Sequence, residues 1–187
     1  MSESAGRLFL AVDPPPDAVA ELDSALQPLR AAPGAPRWTP PSRWHLTLLF
    51  LGDVPATALG PFTDAVAPAV AATPPMSLQL AGAGRFGSRR RPTVCWAGLS
   101  GDVAELTALA LRLATAARAV GLPVEDRPFR AHLTLGRWRA GRDADGDLPD
   151  RLAGHRGPVW PVTEVVLWRS HLGSEPTYER VTAWPVG

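Results

Sequence analysis

The chain contains no lysine, no isoleucine and no asparagine, so all nineteen of its basic residues are arginine. The missing lysine excludes a P-loop, Schiff-base catalysis and a lysyl-adenylate intermediate. A single cysteine, Cys95, excludes an internal disulfide. Its setting, "PTVCWAGL", reads as a strand with a buried small side chain, which fits a reducing, cytoplasmic compartment. No apolar run approaches the roughly 18 residues needed to span a bilayer. The short apolar run before Asp13 and its three prolines falls short of a signal peptide. Net charge is only +1, without the basic footprint of a protein that grips long duplexes. A small ligand or a nucleic-acid end suits it better. The all-arginine pattern looks like a GC-rich coding bias, so arginine abundance alone does not mark a phosphate site. No Cys/His spacing supports zinc. "DADGD" from Asp143 to Asp147 fails as a calcium loop: glycine falls at its fourth position rather than its sixth, and Gly154 stands at its twelfth.

What is present suits one domain over 1–187, with 45% hydrophobic and 20% charged residues. "RLFLAVD" reads as a strand stopped by prolines. Val19, Leu22, Leu26 and Leu29 recur at helical spacing, with Asp17 as the expected N-cap. "AAPGAPRWTPP" reads as a linker. A strand with His45, ended by Gly52 and Asp53, leads to a helix over 56–70. "MSLQLAGAG" and "TVCWAGL" are strands around a loop, "RFGSRRRP". A helix over 103–120 precedes a strand with His132. A polar loop from Arg139 to Gly157, with room for one helical turn, follows. Two strands, "PVTEVVLWRSHL" and "TYERVTAWPV", close the chain around a turn at "GSEP". Mixed helices and strands with short connections predict an α+β fold with antiparallel sheets.

One segment occurs twice. "RWHLTL" begins at Arg43, and "RAHLTL" at Arg130. Side chains alternate across a strand. Arg43, His45 and Thr47 then share one face, with Trp44, Leu46 and Leu48 opposite. Arg130, His132 and Thr134 share another, with Leu133 and Leu135 opposite. Each row offers a cation, a titratable imidazole and a hydroxyl. Such a pair suits in-line displacement at phosphorus without a metal. One histidine takes a proton from the nucleophile, and the other gives one to the leaving oxygen. Threonine hydroxyls can donate to the non-bridging oxygens, and arginine adds a forked, charged donor. One His-x-Thr on a strand means little; the repeat marks a functional pair.

These paired His-Leu-Thr-Leu motifs resemble those of the two-histidine phosphoesterases, in particular the RNA 2′,3′-cyclic phosphodiesterases, also called 2′-5′ RNA ligases. "RLFLAVDPP", "HLTLLFLGDV", "RPFRAHLTLGR" and "VVLWRSHLGSEPTYERVTAWPV" extend the resemblance over nearly the whole chain. It implies a bilobal, pseudo-twofold fold with a V-shaped cleft between two antiparallel sheets. It implies hydrolysis of a terminal 2′,3′-cyclic phosphate to a 2′-phosphate, with ATP-independent 2′-5′ ligation as the reverse. The implied partners are RNA 3′ ends or nucleotides with that phosphate, acted on by a monomer with no cofactor and no metal. His45 and His132 become the catalytic pair, with His132 as base and His45 as acid; Thr47 and Thr134 hold the phosphate. The residue five after each histidine is implicated too: Phe50 for base stacking and Arg137 for the phosphate. Simple alternation puts both on the wrong face, which a bulge or the strand end would correct. Arg130 is a further phosphate candidate.

Other readings stay open. Another small substrate, such as 2′-5′ oligoadenylate or a cyclic ADP-ribose phosphate, or a non-catalytic RNA-end-binding module, would use the same cleft. Phe50 reads equally as core. Arg43 reads as a solvated rim residue and His155 as surface. His171 could approach the cleft, and Trp38 and Trp44 could line a base pocket. The arginines 85, 89, 90 and 91 form either a solvated loop or an RNA-steering patch.

Overall fold

A computed structural model of the chain describes residues 4–139, 144–173 and 176–187. Nine strands and three α-helices lie among them, in the α+β arrangement that the sequence predicts. In chain order they are β1 (Ser4–Val12), α1 (Pro16–Leu26), β2 (Arg37–Trp38), β3 (Leu46–Pro55), α2 (Ala56–Ala71), β4 (Ser77–Gly87), β5 (Pro92–Gly101), α3 (Val103–Ala119), β6 (Leu133–Arg137), β7 (Arg156–Pro161), β8 (Glu164–His171) and β9 (Thr177–Pro185). Two antiparallel sheets result, ordered β3-β1-β8-β9 and β2-β6-β5-β4-β7.

Alternation along the strands builds the core. Leu8, Leu10 and Val12 of β1 join Leu46 of β3, Val165 and Leu167 of β8, and the buried faces of all three helices. Leu78 and Leu80 of β4, Cys95 of β5 and Leu133 of β6 join the same apolar cluster from the other sheet. Each buried leucine contributes about 1.5–3 kcal/mol relative to exposure. The sheets are therefore held on a common core, with their polar faces left for other work. Cys95 is fully buried, and burial pushes its thiol up to about 12. No helix is long and apolar enough to cross a membrane.

Several local expectations need correction. The first helix begins at Pro16 with Pro15 as its cap residue; Asp17 sits in the first turn, where its charge favours the helix dipole. The segment read as a linker contains β2, because Arg37 and Trp38 find ladder partners in β6. Residues 85–87, read as loop, extend β4 opposite β5. The polar stretch from Arg139 contains the expected helical turn, a 3-10 turn at Leu148–Leu152, but its end at Arg156 and Gly157 already belongs to β7, which pairs with β4. His155, expected at the surface, is half-buried ahead of β7, with its carbonyl accepting from the Gly82 N–H at 2.9 Å. Parts of two expected loops, residues 140–143 and 174–175, lie outside the described residues. That includes Asp143 and the middle of the turn "GSEP".

Candidate active site

The two motif strands belong to different sheets, yet β3 and β6 touch. Neither histidine is on its strand. A 3-10 turn at Pro41–Arg43 precedes His45, and β3 starts at Leu46. His132 likewise stands just before β6. The strand rows expected through Arg43 and through Arg130 are thus both corrected: only Thr47 and Thr134 lie on strands. Because the ladder has not begun, the carbonyl two residues before each histidine is free to accept. His45 Nδ1 lies 2.9 Å from the Arg43 carbonyl, and His132 Nδ1 lies 2.7 Å from that of Arg130. A carbonyl only accepts, so Nδ1 carries the proton in both rings. Nε2 is left as the free ring nitrogen, a lone pair when neutral and an acid when protonated.

Two bulges settle the position of the residue five after each histidine. On β3, Leu49 faces Leu10 and Thr47 faces Ala11, so Leu48 is the extra residue. Phe50 then faces Phe9. Phe9 and Ala11 share a face of β1, so Phe50 and Thr47 share one too. On β6, Gly136 faces Cys95 and Thr134 faces Trp96, so Leu135 is the extra residue. Arg137 faces Val94, on the side of Trp96 and Thr134. Each bulge falls three residues after its histidine. Phe50 is accordingly 42% exposed while Leu48 and Leu49 are buried. This exposure overrules the core reading of Phe50. The Arg7 guanidinium lies 5.4 Å from its ring centre.

Each imidazole is walled by aromatics that the sequence did not single out. Phe9 stacks on His45 with ring centres 4.7 Å apart, and Tyr178 meets His45 edge-on at 5.4 Å. Phe86 meets His132 edge-on at 4.9 Å. Arg130 lies over Phe86 at 5.9 Å. Strand parity around Arg7 and Ala11 could have suggested Phe9. Phe86 was hidden in a segment read as loop. Tyr178, the only tyrosine of the chain, carried no local signal.

Electrostatics separate the two histidines. Burial pushes His45 from its ordinary 6.5 down to about 4, against the opposing pull of the Arg43 carbonyl; the charge of His132 lowers it further. His132 is also held below the ordinary range, chiefly by burial and then by the charges of Arg137 and Arg127, with the Arg130 carbonyl opposing. The charge of His132 is thus felt at His45. Both are therefore neutral bases in the free protein at neutral pH.

The remaining sequence candidates lie elsewhere or act structurally. The Arg43 side chain is no free rim group: it donates to the Pro176 carbonyl at 3.2 Å, tying the His45 turn to the start of β9. Trp44 is buried and donates to the Thr39 carbonyl; Trp38 donates to the Arg30 carbonyl. Neither indole N–H is left for a base. His171 pairs with Glu179 at 2.9 Å, on the opposite side of β8 from Trp168 and Ser170. Arg85 sits on β4 and, with Arg89, is paired with Asp150; Arg89 also meets Asp147 at 2.7 Å. That pairing leaves Arg90 and Arg91 as the exposed cations of the expected steering patch. Among the described residues, no cluster of three or more His, Cys, Asp or Glu is placed to hold a metal ion.

The chain is similar to known proteins in sequence and in fold. A family model described as the 2′-5′ RNA ligase superfamily matches residues 14–174. A Geobacillus stearothermophilus protein named RNA 2′,3′-cyclic phosphodiesterase is 34% identical over 149 residues, 80% of this chain. The match covers 47% of that relative, so the chain spans about half its length. A Thermus thermophilus protein of the same name is 32% identical over 172 residues, covering 89% of this chain and 82% of the relative. Among solved structures, E. coli LigT complexed with 3′-AMP superposes with a TM-score of 0.78 at 25% identity, covering 98% of this chain and 99% of that one.

Proposed function

This chain belongs to the 2′-5′ RNA ligase superfamily, and we propose that it hydrolyses RNA-terminal 2′,3′-cyclic phosphates to 2′-phosphates. The observation that carries the reading is the matched pair of imidazoles, each with Nδ1–H held by the carbonyl two residues earlier. The relatives named RNA 2′,3′-cyclic phosphodiesterase support the same substrate.

In this reading Thr47 and Thr134 donate to the non-bridging oxygens, and Arg130 and Arg137 balance their charge. Phe50 offers its exposed ring to the base. Water attacks phosphorus and gives its proton to Nε2 of His132. The P–O3′ bond breaks, and the 3′ oxygen takes a proton from Nε2 of His45. A 2′-phosphate and a 3′-hydroxyl result, and proton exchange with solvent resets the pair. The arginines fit this order. Arginine charges near His132 disfavour its protonated form and keep it a base. Phe9 and Tyr178 enclose His45 and hold it neutral in the free protein, so its proton is loaded only when substrate binds. A bound phosphate anion supplies the shift that loads this proton. The reverse step, with a 5′-hydroxyl in place of water, would form a 2′-5′ linkage without ATP.

The reading extends to a cytoplasmic monomer whose two lobes form one domain over 1–187, working without a metal. The test is incubation of the purified chain with a 2′,3′-cyclic nucleotide in excess EDTA. Release of the 2′-phosphate is expected. Binding without turnover would instead make the chain a recognition module.

A further inference from the structure

Strand β2 brings a second arginine beside the site. Arg37 lies directly opposite Arg137 in the β2–β6 ladder. Directly opposed residues of an antiparallel pair project from the same face, with Cβ atoms about 4.5–5.5 Å apart. The two stems therefore rise side by side on the face that carries Thr134, and the Arg137 charge is felt at His132. Both arginines are exposed. Among the described residues neither joins a salt bridge. Like charges directly opposed weaken a sheet, and an acidic residue at either position would relieve the repulsion. None is there. Two adjacent guanidinium forks form a receptor for an anion.

We propose that Arg37, rising beside Arg137, holds a second, non-reacting phosphate: the phosphodiester joining the terminal nucleotide to the rest of an RNA strand. This rests on the reading of His45 and His132 as the reacting centre. The reacting phosphate lies between the imidazoles and the two threonines. Arg137 follows Thr134 by three residues, so their Cα atoms are at most about 10 Å apart. An adjoining phosphate falls within reach of the arginine side chains. A cyclic mononucleotide has only one phosphate and cannot fill both places. The favoured substrate class is then an oligoribonucleotide with a cyclic end.

The test compares a 2′,3′-cyclic mononucleotide with a short oligoribonucleotide ending in the same cyclic nucleotide, for the wild-type chain, Arg37→Gln and Arg37→Glu. The ratio of kcat/KM, oligonucleotide over mononucleotide, is expected to fall about tenfold in Arg37→Gln. The log–log salt slope of oligonucleotide binding should shrink by about 0.7. Arg37→Glu turns the like-charge pair into an opposite one. It should raise the melting temperature while lowering the ratio further, a combination that a purely structural role does not produce. An unchanged ratio, whether both rates fall together or neither falls, overturns the proposal. If the wild-type chain turns over neither substrate, the hydrolase reading fails separately. Fluorescence anisotropy with the same oligonucleotide carrying a terminal 2′-phosphate then decides the subsite. Weakening of about tenfold in Arg37→Gln supports it, and unchanged affinity refutes it.

Discussion

His45 should titrate near pH 4 in the free protein and move up sharply when an anion binds. Burial beside Phe9 and Tyr178 holds it at about 4 instead of 6.5, which corresponds to roughly 3 kcal/mol against the imidazolium. A phosphate monoanion about 5 Å from Nε2 returns about 3 kcal/mol at an effective dielectric of about 20. The bound state should therefore titrate about 2 units higher, back towards neutrality. The same argument separates the kinetic profiles. The rate kcat/KM reports the free enzyme, and kcat the complex. Both free histidines are held below 6.5, so kcat/KM should fall about tenfold per pH unit above roughly 6.5 as the acid is lost. The alkaline limb of kcat should lie higher. Histidine NMR titration of the free protein, repeated with saturating inorganic phosphate, measures the first effect; steady-state kinetics from pH 4 to 9 measure the second. Tyr178→Ala removes one wall and should return the free His45 value towards 6.5. A free His45 titrating at 6.5 or above in the intact chain would refute the burial argument. A kcat/KM flat from pH 6 to 9 would refute the shared proton.

Further outcomes follow from the same geometry. His45→Ala or His132→Ala should each lower turnover by about 10²–10⁴-fold; near-normal turnover in either, measured as 2′-phosphate release, would end the acid–base pairing. Phe50→Ala should raise KM by about 10–100-fold, the equivalent of one lost base stack, and a fall confined to kcat would argue against stacking. Stability should also depend on pH through His45. Its folded value of about 4 lies below the unfolded 6.5, so the unfolded chain binds more protons between those values. The contribution, roughly 3 kcal/mol, is fully present above about 6.5 and lost as pH falls towards 4. Urea titrations at several pH values should show this loss, and His45→Gln should flatten it.

The sequence by itself determined the repeated motif and the strand faces nearest it. The repeated His-Leu-Thr-Leu placed Leu46, Leu48, Leu133 and Leu135 in the core and left Thr47 and Thr134 half-exposed. It did so because alternation is a property of a single strand. Helical spacing likewise located α1, α2 and α3 to within a few residues. What no single strand carries was decided in three dimensions. The bulges at Leu48 and Leu135 exist only in the register with β1 and β5, and they alone turn Phe50 and Arg137 to the face of the threonines. The two-residue strand β2 is strand only because β6 lies beside it. Phe9, Tyr178 and Phe86 come from distant parts of the chain to wall the imidazoles. The low proton affinity of His45 follows from that enclosure. Desolvation depends on which atoms surround a group, and those atoms are gathered only by the fold.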